Sequence, residues 1–287
     1  MAIQTPSGNT TLLASQVANV LVQPLEQAST FLAAGPTIYD SASPVRIPRV
    51  ASGASAAFTA AGAQIADSNA TFDEVELLPS SMKGIKVLTK LSNELVRQSV
   101  VGLEAALRTR LVTDVANVLD AALWDGTGSS DTIKGIFRQT GIATGALDLT
   151  DPDSLIDAIA TAQANKVNPT HWVMTAASFA KLRKLKVGTD DARYLFDPST
   201  IQNGTAFQIL GLPVVITDNI PNAGTAPGKA RVGLVDFSHV AVARDVDAEV
   251  AILDQTFGDF DTIGIRVVTR FDVGLTQAKA VTLLTEA

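Results

Sequence analysis

His171 and His239 are the first groups to test for chemistry, because imidazole titrates near neutrality and is the commonest metal ligand. Each opens an apolar run and neither has a second histidine at HxH or HxxxH spacing, so both read as structural. The stretch "WDGTGSSDTIKG" has the glycines of a phosphate-cradling loop. Nucleotide motifs, however, set those glycines between a strand and a following helix, and here they follow a helix, so a helix-ending turn is expected. Asp190 and Asp191 in "GTDDARYLFDP" lack the later ligand positions of a calcium loop and read as a solvated turn. Asp259 and Asp261 in "GDFDTIG" could face another carboxylate across a cleft, but nothing in their spacing fixes a geometry. With no GxSxG, P-loop or HExxH, no catalytic residue, cofactor or metal is predicted.

The elements that would position such groups follow from composition and pattern. The chain of 287 residues is 46% hydrophobic, which is ample for a buried core and excludes disorder of the whole. Its 22 Lys and Arg against 29 Asp and Glu give a net charge of -7, so there is no basic field to hold a phosphate backbone. Cysteine is absent, which excludes disulfides and thiolate metal sites and suits a reducing compartment. No Lys or Arg precedes Arg46, and no apolar run reaches the roughly 18 residues of a membrane span, so a soluble, cytosolic protein is expected.

Residues 1–44 read as an extended arm with a short amphipathic helix in "LLASQVANVLVQ", ending at Pro24 and followed by the turn "YDSASP". Residues 45–90 read as a long two-stranded excursion: a strand from Val45 to Val50, the passage "ASGASAAFTAAGAQIADSNA" with only Phe58 and Ile65 to bury, and a return strand from Phe72 broken at Pro79. So long a passage with so little to bury implies a partner outside the chain, since a two-stranded ribbon is marginal alone. Residues 91–147 begin with one long helix, capped by Ser92 and ended by Gly126 and Gly128, with Leu95, Leu103, Leu107, Leu111, Val115, Leu119 and Leu123 along one stripe. Residues 148–244 alternate helix and strand: "DSLIDAIATAQA" behind Asp151 and Pro152, "HWVM", "AASFAKLRKLK" behind Thr175, then "PVVIT" and "ARVGLVDF". In "KLRKLK", Leu182 and Leu185 point inward with Phe179, while Lys181, Arg183, Lys184 and Lys186 form a solvated or subunit-contact face. Residues 245–287, with "EVAILD", "TIGIRVVTRFDVGL" and "AKAVTLLT", alternate as a returning antiparallel sheet expected to pack on the long helix.

This order of parts resembles the Hong Kong 97-type major capsid proteins of tailed bacteriophages. The likeness rests on "IPRVASGASAAFTAAGAQIADSNATFDEVELLP", with Arg49, Phe58, Gly62, Ala70, Phe72 and Val75, and continues through "LSNELVRQS", "LDAALWDGTGSSDTIKGIF" and "ILGLPVVITDNIP". It implies an α+β fold with an N-terminal arm, an extended loop, a peripheral domain built on the long helix and an inserted α/β axial domain at 148–244. It further implies self-assembly as hexamers and pentamers into an icosahedral virion shell. That shell encloses double-stranded DNA without gripping it, is assembled in the host cytoplasm, and has scaffold, portal and decoration proteins as further partners. Arg49, Phe58, Gln64, Ile65 and Phe72 would contact a neighbouring subunit. Some relatives begin with a long scaffolding segment; this sequence starts with an arm, so a separate scaffold or none is expected. Some weld subunits through a loop-tip lysine, and residues 51–70 contain none. An encapsulin-like nanocompartment and a soluble hydrolase using Asp190, Asp191 or His171 are the alternative readings.

Overall fold

A computed structural model describes residues 29–53, 56–62, 64, 67–81, 84–98, 103–188, 191–195, 207–224, 228–253 and 255–287. The amphipathic island expected at 12–23 lies outside them. A short helix α1 (Thr30–Ala33) and strand β1 (Thr37–Asp40) precede the ribbon strands β2 (Val45–Ser52) and β3 (Thr71–Leu77). Strand β4 (Ile85–Ser92) runs into α2 (Asn93–Gln98), and the long α3 (Leu103–Asp125) follows. After these come β5 (Ala143–Leu147), α4 (Asp153–Ala164), β6 (His171–Met174), α5 (Ala176–Arg183), β7 (Lys186–Gly188) and β8 (Asp191–Tyr194). The chain continues through β9 (Gln208–Ile209), β10 (Leu212–Ile216), β11 (Arg231–Val235), β12 (Val240–Leu253), β13 (Thr262–Leu275) and β14 (Val281–Glu286).

Two sheets organise these elements. One has four strands in the order β1-β12-β13-β4, the other six in the order β5-β14-β11-β6-β10-β9. The helical stripe read from sequence is what covers the first sheet. Leu111 and Val115 pack with Ile265 and Val267 of β13, while Leu119 and Leu123 join Ala241, Val242 and Phe271 in a larger core. That larger core also holds Val235, Val281 and Leu283 of the second sheet, so apolar packing is continuous across both. Ser92 accepts a hydrogen bond from Leu95 N–H (3.2 Å), the capping expected of it, and Thr175 does the same for Ser178 at the start of α5.

One expected sheet is divided. Residues 245–287 read as a single returning sheet, yet β14 runs inside the six-stranded one, parallel to β5 and antiparallel to β11. The reason is burial. Val281, Thr282, Leu283 and Leu284 are all buried, as befits a central strand covered on both faces, and such a run carries no reliable alternation. At the other end of the chain, Tyr39 and Asp40 of "YDSASP" are strand rather than turn, paired in parallel with β12 and fastened by the Arg244 guanidinium on the Asp40 carboxylate (2.6 and 3.1 Å).

Candidate self-assembly interface

The ribbon is antiparallel from Val45 opposite Leu77 to Ser52 opposite Thr71. Its two faces differ. On one, Val45, Ile47, Val75 and Leu77 pack against the large core, and just beyond it Arg49 closes on Asp73 (2.5 Å), so that face changes from apolar to ion-paired as it leaves the body. The Arg49 guanidinium holds the Asp73 carboxyl below its ordinary value. On the other face, Val50 and Phe72 stand directly opposite each other, 59% and 75% exposed. At the tip Phe58 is fully exposed and Gln64 is exposed too. Ile65 lies outside the described residues. Of the five residues expected to contact a neighbour, the ribbon brings Arg49 and Phe72 to adjacent rungs, with Phe58 and Gln64 in the connection between the strands.

The chemistry-bearing residues occupy structural posts. His171 is half-buried, shares a hydrogen bond with Thr170 Oγ1 (3.0 Å) and meets Phe237 edge-on, and burial lowers its pKa. His239 is bonded to Thr276 Oγ1 (3.2 Å). The glycines of "WDGTGSSDTIKG" serve a crossing of backbones: a Cβ on Gly135 would stand 2.5 Å from Gly126 N, and one on Gly126 2.4 Å from the Ile133 carbonyl oxygen. Asp261 accepts from Asn93 Nδ2 (2.5 Å), fastening the turn before β13 to the start of α2, while Asp259 is exposed. Asp190 lies outside the described residues, and Asp191 opens β8. A cavity of about 990 Å³ opens beside α4, β5 and β14, and His171 is not in its described lining. Two of the side-chain carboxylates in its described lining are engaged: Asp148 accepts from Thr150 N–H (2.7 Å) and Oγ1 (2.6 Å), and Glu286 accepts from Ala230 N–H (3.0 Å), while Asp157 stands exposed on α4.

Two buried carboxylates join parts distant in sequence. Asp120 on α3 accepts from Ser29 Oγ (2.5 Å), Thr30 N–H (2.6 Å) and Thr30 Oγ1 (3.0 Å), which ties α1 to the long helix. Asp125, at the helix end, takes Arg138 on both oxygens (3.1 and 2.9 Å) and Arg231 of β11 on Oδ1 (2.9 Å). Burial alone would raise the Asp125 carboxyl, but the two guanidinium groups outweigh it and the pKa is lowered. Neither carboxylate has a local signal in the sequence, because the partners stand far away along the chain.

What remains without an explanation inside one chain is the outer end of the ribbon's second face, where exposed Val50 and Phe72 follow the Arg46–Glu74 ion pair (3.5 Å). A model of the phage capsid family matches residues 9–285. This chain belongs to the phage capsid family. The phage capsid chain is 24% identical over 262 residues to the major capsid protein of Klebsiella oxytoca phage phiKO2; the match covers 83% of this chain and 58% of the relative, so the chain spans less than two thirds of that protein's length. Among solved structures, the capsid of an empty GTA particle has the same fold, with a TM-score of 0.79 at 18% identity over the whole of both chains. A chain from Mycobacterium phage Bobi matches at a TM-score of 0.73 and 18% identity, covering 99% of this capsid chain and 98% of its own.

Proposed function

We propose that the protein is the major capsid protein of a tailed bacteriophage, the repeated subunit of an icosahedral shell around double-stranded DNA. The carrying observation is the ribbon: a foot packed into the core and an outer face that leaves Val50, Phe58 and Phe72 in water. Fully burying a side chain of this size is worth about 1.5–3 kcal/mol, so a neighbour that covers these residues gains a substantial association energy. Arg49, Phe58, Gln64, Ile65 and Phe72 are then the intersubunit contacts. The unit around the six-stranded sheet is the axial domain of a Hong Kong 97-type subunit, α3 with the four-stranded sheet is the peripheral domain, and residues 1–44 are its arm. An acidic chain suits a shell that confines DNA without binding its phosphates. Copies of the chain as hexamers and pentamers are the main partners, with scaffold, portal and decoration proteins as further ones, and assembly takes place in the host cytoplasm.

Negative-stain microscopy and sedimentation velocity test the reading. Closed shells or sheets of hexamers are expected from the parent chain, alone or co-expressed with its gene neighbours, and Phe58→Ser with Phe72→Ser should reduce them to small species while preserving the circular dichroism of the subunit. A uniform small oligomer from the parent under both conditions would overturn it.

A further inference from the structure

Arg270, Asp272 and Gly274 stand at alternate positions of β13 and therefore on one face. All three meet the foot of the ribbon. A Cβ on Gly274 would come within 2.7 Å of Leu77 Cδ2 and 2.8 Å of Val75 Cγ1, so a glycine here is what lets the ribbon seat this closely. Asp272, 6% exposed, accepts Leu78 N–H on Oδ2 and Val273 N–H on Oδ1, both at 2.8 Å. Arg270 donates through Nη2 to the Pro79 carbonyl (3.0 Å) and through Nη1 to Asp245 on β12 (3.0 Å). Between these two grips Leu78 is buried with φ of 54°, a left-handed conformation that a residue with a Cβ holds only where its surroundings impose it. The two backbone groups at which the chain turns out of β3 are thus each held by a charged side chain from the same face of β13.

Beyond this foot the ribbon is exposed, so its direction relative to the body is set where it is gripped. We propose that Asp272 and Arg270 are positioning residues for assembly. By holding Leu78 N–H and the Pro79 carbonyl they aim the ribbon, so that its exposed face meets a second copy of this chain at one angle. The inference rests on the ribbon being the contact surface proposed above. An asparagine at 272 can offer an oxygen to only one of the two N–H groups and turns a donor toward the other, so Asp272→Asn should loosen the grip with almost no change of shape.

The chain has no cysteine, so Ala57→Cys at the exposed tip and Val118→Cys on the exposed side of α3 take nitroxide labels specifically. Pulsed dipolar spectroscopy on unassembled full-length subunits is expected to give one narrow distance in the parent and a visibly broadened distribution in both Asp272→Asn and Arg270→Gln, with circular dichroism unchanged and shell yield reduced. Distributions as narrow in both variants as in the parent overturn the positioning role, even if shell yield falls; so does a parent distribution that is already broad. If Asp272→Asn unfolds, Arg270→Gln, which leaves the Leu78 bond intact, carries the test alone. Because the distance is read on free subunits, its outcome is separate from the Phe58 and Phe72 variants, which ask whether the ribbon is the contact at all.

Discussion

Asp125 ends the long helix with one carboxylate divided between Arg138 and Arg231, and only 3% of its side chain is in water. Removing one partner of a buried pair leaves the other charge uncompensated, which costs about 3–5 kcal/mol. Asp125→Asn should therefore unfold at markedly lower urea than the parent. The pH dependence has a definite sign. Because the folded-state pKa lies below the ordinary value of 3.8, the stabilisation is complete above that value and is lost as pH falls through the depressed folded one. Urea midpoints taken from pH 7 downward should fall below about pH 4 in the parent and show a shallower decline in Asp125→Asn; parallel curves would show that the hub does not carry the acid sensitivity. None of this is legible from residue types, since Asp125 looks like the polar end of a helix until β11 brings Arg231 beside it.

At the scale of elements, the sequence was informative wherever burial imposes a period. Leu111, Val115, Leu119 and Leu123 foretold the buried face of α3, although Leu95 and its cap Ser92, read as part of the same helix, belong to the separate α2; Thr175 caps α5 as its residue type suggests. It was least informative at β14, where burial on both faces removes the period, and at the ribbon's foot, where the decisive residues are a glycine and an aspartate on another strand. The ribbon itself was legible because a long stretch with little to bury is costly to order alone. Its two faces were not, since the exchange of Val45 and Ile47 for Arg49 depends on how far the body extends. Asp272 differs from Asp125 in sign: burial pushes its carboxyl up, with Leu78 and Val273 N–H and the nearby Arg270 opposing only in part. The other charged groups beside it are Glu76 on β3, Asp131 and Lys134 in the turn after α3, and, through Arg270, Asp245. Because its pKa is raised where it is buried against the ribbon's foot, Asp272 binds a proton more tightly there than when released to water, so acid favours the gripped arrangement. The tip-to-helix distance distribution should therefore stay as narrow as at pH 7 until the urea midpoint itself falls; broadening while that midpoint is still on its plateau would show that the charged carboxylate, not the neutral one, is needed for the grip.

For the whole molecule, the question is how a shell of such subunits is held together. In the shell proposed above an isolated ribbon contact would be modest, but every subunit would both give one and receive one, and contacts closed by symmetry reinforce each other because a subunit held at several places must release all of them to leave. Covalent welding through the loop tip would need an amine there, and residues 51–70 contain neither Lys nor Arg. The exposed apolar side chains described there, Val50, Phe58 and Phe72, would act in the proposed contact by desolvation, which is strong in sum and reversible one by one. Purified particles boiled in detergent should therefore run as a single band at the mass of the subunit, and guanidinium should return them to free chains without protease or reductant. A ladder of dimers, trimers and larger species from the same particles would mean that another amine reaches a neighbouring subunit, and would move the source of particle strength from the ribbon's apolar face to a bond elsewhere in the chain.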